Sequence, residues 1–171
     1  MHVALDQVDE TLNLTAIHPH RWEALINEPL GQFDTKKVVL LVSGWIWQKS
    51  CREKLYNDSY DSFCKEIKSA KASILEIGCG PGNVTKYLLN QRPAFRIKAI
   101  DIAPNMLQLA KKNNPSVEFE EMDARDIHTL EERFDGIMIG FCLPYLSKED
   151  SVKLIKDSFL LLNDNGLLYF S

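Results

Sequence analysis

The sequence predicts an α/β fold: a doubly wound, mostly parallel sheet with helices on both faces. Three observations carry this. From Ile74 onward, five short apolar runs alternate with segments of helical periodicity, and strands separated by helices form a parallel sheet covered on both sides. The first of these runs is short, apolar and ends at a glycine, the pattern of a buried parallel strand. The stretch "ILEIGCGPGN", residues 74–83, then places Gly78, Gly80 and Gly82 directly after that run. Ligands of such sheets sit outside the carboxyl ends of the strands, so these glycines stand where a ligand would meet the backbone.

The elements follow in order. "SILEI" is the first strand. The next helix carries Val84, Tyr87 and Leu88 at helical spacing, and Pro93 ends it. "FRIKAID" is the second strand. Pro104 suits a first helical turn, with Met106, Leu109 and Ala110 on one face and Lys111 and Lys112 in the last turn. Asn113, Asn114 and Pro115 stop that helix. "VEFEEMD" alternates as a third strand, and a short helix is expected near Thr129 to Arg133. "FDGIMIGFC" is the fourth strand. Ser147 caps the next helix with Asp150 three residues on, and Val152, Ile155, Phe159 and Leu162 mark its buried stripe. "NDNG" is a turn, and "LLYFS" is a fifth strand, after which the sheet ends.

Residues 1–47 do not join this pattern and stay unassigned. "HPHRWEALINEPLGQFDTKK" holds one short helix and several breakers, and "VVLLV", Val38 to Val42, reads as a strand. His18 and His20 read as exposed histidines, since no partner for a metal site lies nearby. Residues 48–70 read as one or two helices leading into the sheet. The division is therefore 1–47 unassigned and 48–171 as the α/β domain.

Composition bounds the function. A chain of 171 residues favours one domain, and 45% hydrophobic with 26% charged residues is normal for a soluble globular core. A net charge of −4 gives no basic field for nucleic acid or an anionic membrane. Cys51, Cys64, Cys79 and Cys142 form no CxxC pair, so neither a zinc site nor a redox motif is indicated. Reduced thiols in a cytoplasmic protein are the expectation. The longest apolar stretch, residues 38–47, falls short of the ~20 residues of a membrane span and begins too late for a secretory signal.

The glycine spacing is chemically informative. A dinucleotide site uses GxGxxG with a pyrophosphate on the helix N-terminus. Here the spacing is GxGxG, and Asn83 stands at the third dinucleotide position. Glu76, two residues before Gly78, is expected at the strand end facing the loop, where its carboxylate would repel a pyrophosphate. It would suit a ligand with an ammonium group and a sulfonium centre. S-adenosylmethionine carries both.

At these residues the sequence resembles the class I S-adenosylmethionine-dependent methyltransferases. "LEIGCGPGN" matches the family's acidic residue and GxGxG loop, and the likeness covers roughly residues 50–171. It implies a Rossmann-like fold with S-adenosylmethionine as cofactor. Asp101, 19 residues after Gly82, would accept hydrogen bonds from both ribose hydroxyls, and Ile102 would pack against adenine. In "MDARDI", Asp123 would accept from the adenine amino group and the Ala124 backbone N–H would meet a ring nitrogen. Gly140 and Phe141, ending the fourth strand, would lie along the methionine part. Tyr56 or Tyr60 on the upstream helix would reach the site.

The resemblance leaves catalysis unassigned. Methyl transfer from a sulfonium is an in-line displacement, and holding the acceptor in line supplies much of the rate. Family members that methylate amino groups carry Asp, Asn or Ser, then Pro-Pro and an aromatic, after the fourth strand. Here the location reads Cys142-Leu143-Pro144-Tyr145, and only Pro144 and Tyr145 agree. A small-molecule acceptor is favoured over nucleic acid, and Tyr145 stands between substrate contact and packing. Cys79 and Cys142 read as small buried hydrophobes. The family has seven strands, so the domain reads as incomplete at its C-terminus. "GLLYFS" would then be an uncovered edge, unless "VVLLV" lies beside it. Two other classes fit less well: a nicotinamide-dependent oxidoreductase, opposed by Glu76 and Asn83, and a non-catalytic binding protein on the same fold.

Overall fold

The computed structural model describes Leu12–Thr15, Val38–Leu41 and residues 49–171, with side chains from Tyr56 onward. His18 and His20 lie outside the described residues. Strands β1 (Leu12–Thr15) and β2 (Val38–Leu41) pair in parallel as a small separate sheet. Helix α1 (Lys49–Glu66) is continuous and leads into β3 (Ser73–Ile77). Then come α2 (Asn83–Gln91), β4 (Arg96–Asp101), α3 (Pro104–Asn113), β5 (Glu118–Glu121) and a 3-10 turn at Ala124–Thr129. Next are β6 (Phe134–Ile139), a second 3-10 turn at Leu143–Tyr145, α4 (Lys148–Leu161) and β7 (Leu162–Phe170).

The main sheet has the order β5-β4-β3-β6-β7, with every pair parallel. The chain leaves β3 toward β4 on one side and crosses back to β6 on the other. That reversal opens a crevice between the carboxyl ends of β3 and β6, the place where doubly wound sheets bind ligands.

Strand alternation sorts the core into two layers. Leu75, Ile77, Ile137, Ile139, Leu168 and Phe170 pack with Leu154 and Phe159 of α4 and with Ile127 of the 3-10 turn. Ile74, Ala99, Met138, Leu167 and Tyr169 face the other way, onto Tyr60 and Phe63 of α1, Leu88 of α2 and Leu107 of α3. Arg92 fastens α1 to this layer. Its guanidinium donates to the carbonyls of Cys64 in the last turn of α1 and of Ile67 (3.0 Å) and Ser69 (2.8 Å) just beyond it, satisfying acceptors at the end of the helix and the segment that leaves it.

The structure rotates one expected helix face and widens another. In α3, Leu107 and Ala110 are buried, while Met106 and Leu109 are 41% and 48% exposed. Apolar residues cover much of this helix, so periodicity alone leaves its orientation free. The glycine loop selects the face, because a Cβ on Gly82 would lie only 3.3 Å from Ala110 and nothing larger than alanine fits there. In α4 the expected stripe holds at Phe159 and Leu162, both buried, with Ile155 packed against the core, while Val152 is only half-buried and Ser151, Leu154, Ser158 and Leu161 are buried as well. Its cap is as expected, with Ser147 Oγ accepting from the Asp150 N–H at 3.0 Å.

Two boundaries also differ. The short helix expected near Thr129 to Arg133 is instead the turn Ala124–Thr129, initiated by Asp123, which accepts from the Arg125 N–H at 2.9 Å. The "NDNG" turn lies inside β7 rather than before it: the register jumps from Phe134↔Leu162 to Gly136↔Leu167 around Asn165, whose φ is 61°.

The last strand is not left bare. Leu167, Leu168, Tyr169 and Phe170 are 0–4% exposed, because α1 and α4 cover opposite faces. Tyr169 Oη also meets Ser59 Oγ at 3.1 Å. β2 lies next to β7, but no ladder joins them. At the opposite margin, β5 is four residues long and acidic, a short charged edge that discourages pairing with other chains. Lys98 of β4 neutralises it, reaching Glu120 at 3.2 Å and Glu132 at 2.9 Å.

Candidate cofactor site

The loop between β3 and α2 is built on left-handed backbone: φ is 72° at Gly78, 53° at Gly80 and 79° at Gly82. Side-chain-bearing residues are strained in that region. The surroundings of the glycines differ. A Cβ on Gly78 would meet Cys142 Cβ at 3.0 Å, and one on Gly82 would strike Asn114 Nδ2 at 2.5 Å. Those two glycines serve packing against the β6 end and α3. A Cβ built on Gly80 would meet nothing within 4 Å beyond its chain neighbours. The loop presents bare backbone to open space at that one residue, which is the opening a close-fitting ligand needs.

Asp101 organises the neighbouring wall. Its Oδ2 accepts from the Gly80 N–H at 2.7 Å, and its Oδ1 accepts from the Ala103 N–H at 2.8 Å. Each carboxylate oxygen has about two lone-pair directions, so each keeps one for a ligand. Ile102 projects beside it, 61% exposed. The Met122 N–H donates to the Asp101 carbonyl at 3.1 Å, which brings Asp123 and half-buried Ala124 to the same end of the sheet. The sites expected from sequence at Gly78, Gly80, Gly82, Asp101, Ile102, Asp123, Ala124, Gly140 and Phe141 all lie at the carboxyl ends of the parallel strands.

Glu76 departs from expectation. Strand alternation turns it into the layer beneath α1 and α2 rather than toward the loop. It is 2% exposed and accepts from Thr85 Oγ1 at 2.6 Å. Burial pushes its carboxyl up to about 7, the Thr85 hydrogen bonds pull it down, and the Asp101 charge adds to the rise. The folded chain therefore holds more protons than the unfolded chain between about pH 4.5 and pH 7. Stability contributed by this group falls as pH rises through that window and levels off above it. Glu76→Gln, which keeps an acceptor for Thr85, is expected to remove this slope and to raise the melting temperature at about pH 8, where ionised Glu76 costs most. Thermal melts of both proteins across the window check this; an unchanged slope would place the titration elsewhere.

An aromatic row closes one side. Tyr56 stands edge-on to Phe141 with centroids 4.7 Å apart, and Tyr60 stacks behind Tyr56 at 6.2 Å. Tyr60 is 5% exposed, and its hydroxyl has no hydrogen-bond partner among the described residues. Phe141 is 44% exposed with φ 58°, a strained backbone for an aromatic residue and typical of functional sites. Gly140 is buried, with Val84 Cγ2 3.9 Å from where a Cβ would sit. Tyr145 is 89% exposed, which removes the packing role for it. Cys79 is buried, and Cys142 packs on Gly78, its thiol pushed by burial up to about 11.

Sequence reading missed Thr85, Asn114 and Arg125. Asn114 Nδ2 donates to the Gly82 carbonyl at 3.0 Å across 32 residues, a pairing with no local signal. Arg125 had one: it follows Asp123 by two residues, within reach of a capping carboxylate. Among the described residues, no cluster of His, Cys, Asp or Glu is placed to hold a metal, and no helix is long and apolar enough to cross a membrane.

The fold and this loop define a nucleoside-cofactor domain on a doubly wound sheet. The methyltransferase domain family model matches residues 74–166. The chain is 32% identical over 124 residues to malonyl-[acyl-carrier protein] O-methyltransferase of Acetivibrio thermocellus, covering 70% of this chain and 42% of that protein. It is 40% identical over 96 residues to trans-aconitate 2-methyltransferase of Escherichia coli, covering 56% and 36%. In structure it is similar to an S-adenosylmethionine-dependent methyltransferase from Clostridium acetobutylicum, with TM-score 0.59, 24% identity and coverage of 67% and 48%. It is also similar to CalS10, an amino pentose methyltransferase from Micromonospora echinaspora in its S-adenosylmethionine complex, with TM-score 0.56, 20% identity and coverage of 74% and 58%. The chain belongs to the class I S-adenosylmethionine-dependent methyltransferase family, and the nicotinamide oxidoreductase reading is set aside. It spans about half or less of the length of the two curated relatives described.

Proposed function

We propose that this chain binds S-adenosylmethionine in the crevice at the β3–β6 reversal and serves the transfer of its methyl group to a small-molecule acceptor. The observation that carries this is the open backbone at Gly80 beside an Asp101 carboxylate with one unused lone pair on each oxygen.

The residues divide the cofactor between them. Asp101 takes the ribose hydroxyls, and exposed Ile102 covers one adenine face. Asp123 and the Ala124 N–H take the adenine edge. Gly78, Gly80 and Gly82 let the methionine part lie against the backbone, with Gly140 and Phe141 on its other side. Glu76, 2% exposed and held by Thr85 Oγ1, supports the loop from beneath rather than touching the cofactor. When bound, the cofactor supplies an already activated methyl group, so the chain's task is orientation. No described side chain is assigned as a base. Trans-aconitate, the substrate in one relative's name, is of the small-molecule class favoured here, and the net charge of −4 gives nucleic acid no attraction.

Calorimetric titration with S-adenosylmethionine, S-adenosylhomocysteine and NAD tests the reading. Saturable binding of the first two and none of the third is expected. Equal or tighter binding of NAD would overturn it. Binding without turnover across a broad acceptor panel would leave a cofactor-binding role and remove the transferase one.

A further inference from the structure

Both oxygens of the Asp123 carboxylate are already engaged. Its Oδ1 accepts the Arg125 backbone N–H at 2.9 Å and the Arg125 Nε–H at 2.9 Å. Its Oδ2 accepts Nε–H at 3.0 Å and also an Nη2–H. Three N–H donors of one residue, with the Nε–H shared between both oxygens, engage each carboxylate oxygen twice. A further donor must compete with these for the same oxygens.

The two kinds of donor are not equally free to go. The backbone N–H initiates the 3-10 turn. The Arg125 carbonyl is held by Lys153 Nζ at 2.8 Å and lies 3.2 Å from His128 Nδ1, so the residue's backbone is fixed on its other side. The side chain is 52% exposed, and Asp123 is its only hydrogen-bond partner among the described residues. Opening the fork therefore needs side-chain rotation alone, into water that solvates a guanidinium well.

Building on the reading that Asp123 receives the adenine amino group, we propose that Arg125 is a built-in competitor for the adenine subsite. Its guanidinium occupies the acceptor positions that adenine requires and swings into solvent when the cofactor enters. Arg125 thus sets cofactor affinity without touching the reacting atoms. Because the pair is exposed, salt screens it, and the competition weakens as ionic strength rises.

The test is calorimetry on the full chain with S-adenosylhomocysteine, which has no net charge, so that salt acts chiefly on the protein's own pair. Arg125→Ala is expected to tighten binding by about 3- to 5-fold, the range of an exposed ion pair. Wild-type affinity should rise between about 0.02 and 1 M salt, while Arg125→Ala stays level. Arg125→Lys, a single-point donor unable to fork, should fall between. Arg125→Ala binding no tighter than wild type, with Asp123→Ala weaker, would show that Arg125 braces Asp123, and the competitor role fails while the adenine subsite stands. Unchanged binding by Asp123→Ala would take adenine away from Asp123, and the underlying reading fails with it. A wild-type affinity indifferent to salt also overturns the proposal, and it needs no variant.

Discussion

Asp101→Ala is expected to weaken S-adenosylmethionine binding by about 30- to 1000-fold. Two hydrogen bonds to a charged acceptor are at stake, each contributing ~1.5–3 kcal/mol, and the half-buried setting brings the total to roughly 2–4 kcal/mol. The same carboxylate ties the Gly80 and Ala103 N–H groups together, so the loop also loses its brace. A stability loss of about 1–2 kcal/mol should accompany the affinity loss. Asp101→Asn keeps one acceptor oxygen and should lose less of both. Calorimetry at a temperature where melting curves show the variant folded checks the result. Unchanged affinity in a folded Asp101→Ala protein would remove Asp101 from the site.

Gly80→Val is expected to abolish cofactor binding with only a moderate loss of stability. The added Cβ would meet nothing within 4 Å beyond its chain neighbours, so the branched side chain starts into the space assigned to the ligand. The left-handed φ of 53° adds a backbone cost of roughly 1–2 kcal/mol. Gly82→Ala is the control with the opposite balance. Its Cβ would lie 2.5 Å from Asn114 Nδ2 and 3.3 Å from Ala110, so stability should fall first and most. Paired titrations and melts separate the two effects. Wild-type affinity in Gly80→Val would show that the open side of the loop is not the binding side.

Much of the crevice was legible from residues alone, because its signals are local. Gly78, Gly80 and Gly82 follow an apolar run, and Asp101 ends the next one. Once those runs are strands, parallel connectivity carries both to the same sheet end. The roles of the individual glycines were not legible. Only the positions of Cys142 and Asn114, distant in sequence, show that two of the three glycines serve packing and one faces open space.

Glu76 marks where local reading ends. Its position just before the loop suggested an outward carboxylate, yet an alternating strand sends every second side chain inward, and Thr85 on the next helix captures it. Alternation says which residues share a face. It does not say which face a later helix will cover. Phe141 is a similar case: a phenylalanine gives no hint of left-handed backbone, which here accompanies its packing on Tyr56 and its N–H lying 3.3 Å from Ser171 Oγ.

By itself, then, the sequence determined the alternation of strands and helices, the glycine loop after β3, the acid ending β4 and the Ser147 cap. Each follows from side-chain period, glycine and proline punctuation, or a hydrogen bond spanning a few residues. The tertiary structure alone decided which arcs of α3 and α4 are buried, where Glu76 points, how Arg125 engages Asp123, and that α1 and α4 cover the last strand. Those outcomes depend on close packing between segments far apart in the chain. A helix such as α3, apolar over more than one arc, can bury any of them, and only the shape of the surface it meets, here Gly82 against Ala110, selects among them.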